Sequence, residues 1–187
     1  MFHNIAMKVY QFIIKVWLCL FIGQYSFAVV NSSVDDIEID RFVRIMPDLA
    51  RHVLPLLSFD QLTNQSDIEQ HYKIFITDTQ VASLLKQQKV AQSTAQDIYI
   101  ISLAMVVLSH QYQRDLLQQE LGHILTDEQL LKELEQLPNM QADDKAEVQH
   151  MLQFMQQAQL WLGEANINIV KSREMQIATV LSEMVIQ

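Results

Sequence analysis

The sequence predicts an all-α fold: an irregular bundle of about five helices around a long central helix at roughly 94–121. Three observations lead there. Three Gly and three Pro in 187 residues are too few for the turns of a sandwich or barrel. Capping patterns punctuate the chain, and between them apolar residues recur at three- and four-residue steps. Half of the residues are hydrophobic, with no low-complexity tract, so a packed core is within reach and chain-wide disorder is excluded.

Residues 1–28 stand apart from the fold. Met1 to Lys15 holds no acid and carries Lys8 and Lys15; an apolar run, Val16 to Gly23, follows. Gln24-Tyr25-Ser26-Phe27-Ala28 then places small residues at its last and third-last positions. That is the layout of a cleavable secretory signal, with cleavage expected after Ala28. The run is too short to span a bilayer, which takes about 20 residues. The expected product, 29–187, is a single helical domain, periplasmic or secreted, with no transmembrane segment. Cys19 leaves with the signal, so disulfides, thiolate zinc sites and thiol catalysis are excluded from the remainder. The segment removes two of the 13 basic residues and none of the 22 acids, which takes the formal charge from −9 to −11. Such an acidic chain, lacking a basic cluster, is unsuited to nucleic acid.

Ser32 or Ser33 precedes Asp35, Asp36 and Glu38, acids that the helix dipole favours in a first turn. Val34, Ile37, Ile45, Leu49, Val53 and Leu56 form an apolar face predicting a helix to about Leu57, kinked or restarted at Pro47. Ser66-Asp67-Ile68-Glu69 reads as a capping box, with Ile68, Tyr72, Phe75 and Ile76 on one side behind it. Thr77-Asp78-Thr79-Gln80 reads as a second, so two short helices are expected here.

Ser93 is expected to cap the central helix, Thr94 to Leu121, which Gly122 stops. Ile98 to Leu108 is apolar all round except for Ser102. That pattern belongs to a helix buried on every side or to an inner strand; unbroken helix formers on both flanks favour the helix. Ser102 is expected to bond a backbone carbonyl one turn earlier. Thr126 opens the next helix, which Pro138 ends. Ala142 to Leu162 forms another, closed by Gly163, with Val148, Met151, Leu152, Met155 and Leu162 as its stripe. The last runs from about Ala165 to Ile186, with Val170, Ile177, Leu181 and Met184 inward.

Candidate functional residues fall into three sets. Leu125-Thr126-Asp127-Glu128-Gln129 fits the pattern LTxxQ. The chain in this respect resembles the Spy and CpxP periplasmic helical chaperones, which share its size, compartment and helix content. The resemblance implies a chaperone role for Leu125, Thr126 and Gln129; the same spacing is also an ordinary capping box. Glu120/His123 and Glu147/His150 are two Glu-x-x-His pairs, the spacing that sets carboxylate and imidazole one helical turn apart in bundle metal sites. The third set is compositional. Residues 29–187 hold 22 glutamines and seven methionines. Met151, Phe154, Met155, Trp161, Met175 and Met184 offer an adaptable interaction surface or core filling.

No nucleophile elbow, glycine-rich phosphate loop or paired catalytic carboxylate is present in the sequence. Asp35-Asp36 and Asp143-Asp144 sit at helix starts, where the dipole accounts for them. The expected function is therefore that of a non-catalytic exported protein, without a cofactor, that binds a protein or an envelope component. A chaperone and a metal-binding bundle are the alternatives.

Overall fold

The computed structural model describes residues 33–185 apart from 60, 123 and 137–141; the expected signal, Pro138 and His123 lie outside them. The described residues form seven α-helices and no strand: α1 (Asp36–Val53), α2 (Gln65–Thr77), α3 (Thr79–Gln87), α4 (Thr94–Leu121), α5 (Asp127–Glu135), α6 (Ala142–Ser172) and α7 (Glu174–Val185). A 3-10 turn, Leu54–Leu57, follows α1. The all-α class and the central helix are as the sequence predicts.

The starts of α1 and α2 differ from expectation. Asp35, not a serine, caps α1, accepting from the amides of Ile37 and Glu38 while the Glu38 carboxylate accepts from the Asp35 amide. A carboxylate there satisfies free amides and opposes the dipole's positive end. The helix runs through Pro47, which is exposed and starts no new element. Its buried face is Ile39, Phe42, Ile45, Met46, Leu49, Ala50 and Val53. Ile37, expected on that face, is 65% exposed. Helix α2 starts two residues before the predicted box: Asn64 caps it through the Asp67 amide, and Asp67 in turn accepts from Thr63 and Asn64. Asp78 caps α3.

Helix α4 is the axis. Ile98, Tyr99, Ile100, Ile101, Leu103 and Ala104 are all fully buried, so this stretch is covered on every side, as its uninterrupted apolarity requires. Ser93 makes no side-chain cap bond, contrary to expectation, whereas Gly122 ends the helix in the left-handed region at φ 80°. The pairs Tyr99–Trp161 and His110–Phe154 show α6 running antiparallel to α4. Helices α1, α2 and α3 also pack on α4, and α1 packs on α7. Asp97 is buried near the start of α4, 3.5 Å from Arg41 of α1.

Gly163 interrupts α6 with φ 73° and ψ 152°, a combination essentially confined to glycine. Asn166 bridges the break, donating to the Leu162 carbonyl at 2.8 Å and accepting from the Val34 amide at 2.9 Å. The predicted last helix divides once more at Arg173, whose guanidinium pairs with both Asp36 and Asp40 of α1. Both joints therefore tie the C-terminal helices to the beginning of the fold.

A groove between α4 and α6

Tyr99, at the centre of the main core, is ringed by Phe59, His71, Tyr72, Phe75 and Trp161 at centroid distances of 5.3–5.7 Å. Its hydroxyl lies 3.0 Å from His71 Nδ1 and 3.2 Å from the Ile68 carbonyl. Burial lowers the His71 pKa and raises those of Tyr72 and Tyr99; a bond to the Leu56 backbone partly opposes the shift at His71. Asp97 is pushed up to about 6, first by burial and then by the Glu38 charge, against the pull of Arg41. These groups meet between helices: Tyr99 of α4 packs on His71 and Tyr72 of α2, and Asp97 of α4 faces Arg41 of α1.

Beyond this core, α4 and α6 continue together and their two flanks differ. On one flank α5 closes the gap. Leu125 and Leu130 pack with Met151, Leu152 and Met155, and Arg114 pairs with Asp127 at 2.9 Å. The other flank is an open groove of about 690 Å³. Its floor is Phe59, Val106, Leu117, Val148, Met151 and Phe154; Leu116, 41% exposed, stands at its lip. Glu120, Asp144 and Glu147 line it as exposed carboxylates, with the half-buried His110 and His150 and with Gln113. His110 meets Gln113 Oε1 at 3.1 Å and sets its ring edge-on to Phe154. No lysine or arginine is among the described lining residues.

The three predicted sets are placed as follows. In the LTxxQ pattern, the Thr126 amide donates to Gln129 Oε1 at 3.0 Å and the Gln129 amide donates to Thr126 Oγ1 at 3.2 Å. Leu125 is buried, and its carbonyl accepts from the buried Gln118 side chain. All three residues are thus engaged in starting α5. Of the Met/aromatic set, Met151, Phe154, Met155 and Trp161 are buried, Met175 is 86% exposed, and the Met184 side chain is outside the described residues. Met151 and Phe154 supply groove floor, whereas Met175 lies at the α6–α7 joint. The structure does not gather the five described side chains into one exposed face.

Glu120, Glu147 and His150 do converge on the same groove. Among the described residues, however, no three or more His, Cys, Asp or Glu side chains are arranged to hold a metal ion. His110 and Phe59 complete the lining and were not anticipated. The positions 106, 110, 113, 117 and 120 form a helical stripe, but its mixed chemistry hides it from a hydrophobicity reading. Ser102 Oγ is buried and makes no hydrogen bond among the described residues, in contrast to the expected back-bond. No described helix is long and apolar enough to cross a membrane.

Compared with known proteins, the chain matches no family model, no curated protein and no solved structure.

Proposed function

We propose that this chain is an exported, non-catalytic helical protein that binds a partner in the groove between α4 and α6. One observation carries the reading: one flank of the helix pair is covered by α5 while the other leaves a groove floor of half-buried Val106, Leu117 and Val148 beside the exposed Leu116. A bundle gains by covering such a floor, at roughly 25 cal/mol for each Å² of apolar surface removed from water. The layout of residues 1–28 supports export, and the sequence lacks a recognisable catalytic set.

The alternatives draw less support. The chaperone resemblance rests on residues whose side chains are engaged at the start of α5. The metal reading rests on three groove residues that form no ligand cluster among the described residues.

A photo-crosslinking residue at Leu116, in protein expressed in its own host, tests the proposal, with Ile74, exposed on α2, as the control position. A discrete adduct from Leu116 that is missing from Ile74 is the expected result. Equal labelling from both positions, or none from Leu116, would overturn it.

A further inference from the structure

We infer that the groove's occupant is a cationic amphipathic α-helix supplied by another polypeptide. This deepens the binding proposal and rests on it.

Shape comes first. On the α4 side the groove extends from Val106 to Glu120, and on the α6 side from Asp144 to Phe154. At 1.5 Å per residue these are roughly 21 Å and 15 Å, the length of a helix of about ten to fourteen residues. The walls are two antiparallel helices, and a third helix laid between them repeats the packing of the rest of the bundle. Such docking uses apolar anchors at i, i+3 or i+4, and i+7. The floor offers them the half-buried Val106, Leu117 and Val148, with Leu116 at the lip.

Charge then selects among amphipathic helices. Glu120, Asp144 and Glu147 are exposed around the apolar floor, and no lysine or arginine is among the described lining residues. An acidic partner would set like charges against Glu120 and Glu147, while lysines flanking the apolar stripe of a helix would meet a carboxylate on each wall. The same argument disfavours a second copy of this chain, whose formal charge is −9.

The test uses the full chain and three labelled synthetic peptides of fourteen residues, read by fluorescence anisotropy at low and high salt. One is a Leu/Lys helix with leucines at helical spacing, one has the same composition scrambled, and one is a Leu/Glu helix. The Leu/Lys helix is expected to bind, the scrambled peptide at least roughly tenfold more weakly and the Leu/Glu helix not measurably. Glu120→Gln combined with Glu147→Gln should weaken the Leu/Lys peptide by roughly three- to tenfold at low salt, and less at high salt. Asp48→Asn combined with Glu128→Gln, which removes two exposed acids elsewhere, should change it less than about twofold.

Equal binding of the Leu/Glu helix would overturn the cationic assignment while leaving the groove as a binding site. Equal weakening by both charge pairs would overturn it too, because net charge alone would then be the attraction. Binding unaffected by Leu116→Lys, or no binding by any peptide, would overturn the helical occupant; the Leu116 crosslink then reports separately on whether the groove binds anything. A dimer in sedimentation that Leu116→Lys dissolves would give the groove to a second copy, and the inference would be wrong.

Discussion

Replacing Tyr99 by Phe removes one oxygen from the centre of the core and leaves the ring in place. The hydroxyl engages His71 Nδ1 at 3.0 Å and the Ile68 carbonyl at 3.2 Å. The carbonyl belongs to α2, whose backbone ladder offers it another donor, so the stranded partner is the half-buried His71. Losing a buried hydrogen bond of this kind and leaving one group short costs about 1–2 kcal/mol. Tyr99→Leu also deletes the edge contacts with Phe59, Tyr72, Phe75 and Trp161 and leaves a cavity, for a total of about 3–5 kcal/mol. Urea unfolding followed by far-ultraviolet circular dichroism measures both, with unchanged m-values expected. In thermal scans the Phe variant should lose roughly 2–8 °C. Were Tyr99→Phe as stable as the parent, the hydroxyl bridge between α2 and α4 would contribute nothing. Were the Leu variant no worse than the Phe variant, the ring cluster would not be the organising core.

Other expectations follow from the backbone and from buried polar groups. Gly163→Ala forces a side chain onto φ 73°, ψ 152° and should cost about 1–3 kcal/mol. Gly122→Ala, at φ 80° with nothing within 4 Å of the added carbon, should cost only about 1–2 kcal/mol; thermal melts that rank the two equally would contradict the difference in backbone region. Ser102→Ala removes a buried hydroxyl that has no hydrogen-bond partner among the described residues, so denaturant midpoints should stay level or rise by up to about 1 kcal/mol. A clear loss there would reveal an unseen bond. Asp97 has its folded pKa raised to about 6 from 3.8, so the folded state holds that proton more tightly. Its contribution is most favourable below about pH 4 and is lost as pH rises to about 6. Asp97→Asn should therefore gain about 1–2 kcal/mol near neutral pH, less than the shift alone gives because Arg41 loses its partner, and nothing near pH 4. His71 acts in the opposite sense: its folded pKa lies below 6.5, so its contribution is complete above 6.5 and is lost on acidification through the lowered value. A stability–pH curve for Asp97→Asn that parallels the parent's between pH 4 and 6 would refute the assignment to Asp97.

Much of the secondary structure was legible because its signals are local. The central helix has the predicted ends, and Thr126/Gln129 form the predicted box. Gly163 breaks its helix, and Ile68, Phe75, Val170 and Ile177 are buried on their predicted faces. Cap identity was less legible. Asp35 and Asn64 displaced nearby serines, since several polar residues stood within reach and which one takes the extended backbone depends on where the apolar face must start. For the same reason Ile37 turned outward: the α1 stripe is set by its packing on α4 and α7.

The sequence by itself determined an acidic all-helical chain, its long buried axis and most of its helix boundaries, because periodicity, capping and glycine stops act within a few residues. Tertiary structure decided the rest. It buried Met151, Phe154, Met155 and Trp161 and left Met175 outside. It brought Glu120, Glu147 and His150 into one groove with His110 and Phe59, positions up to 91 residues apart in the chain. Which flank of two antiparallel helices is covered depends on where a distant third element packs, and that is not written in the spacing of either helix.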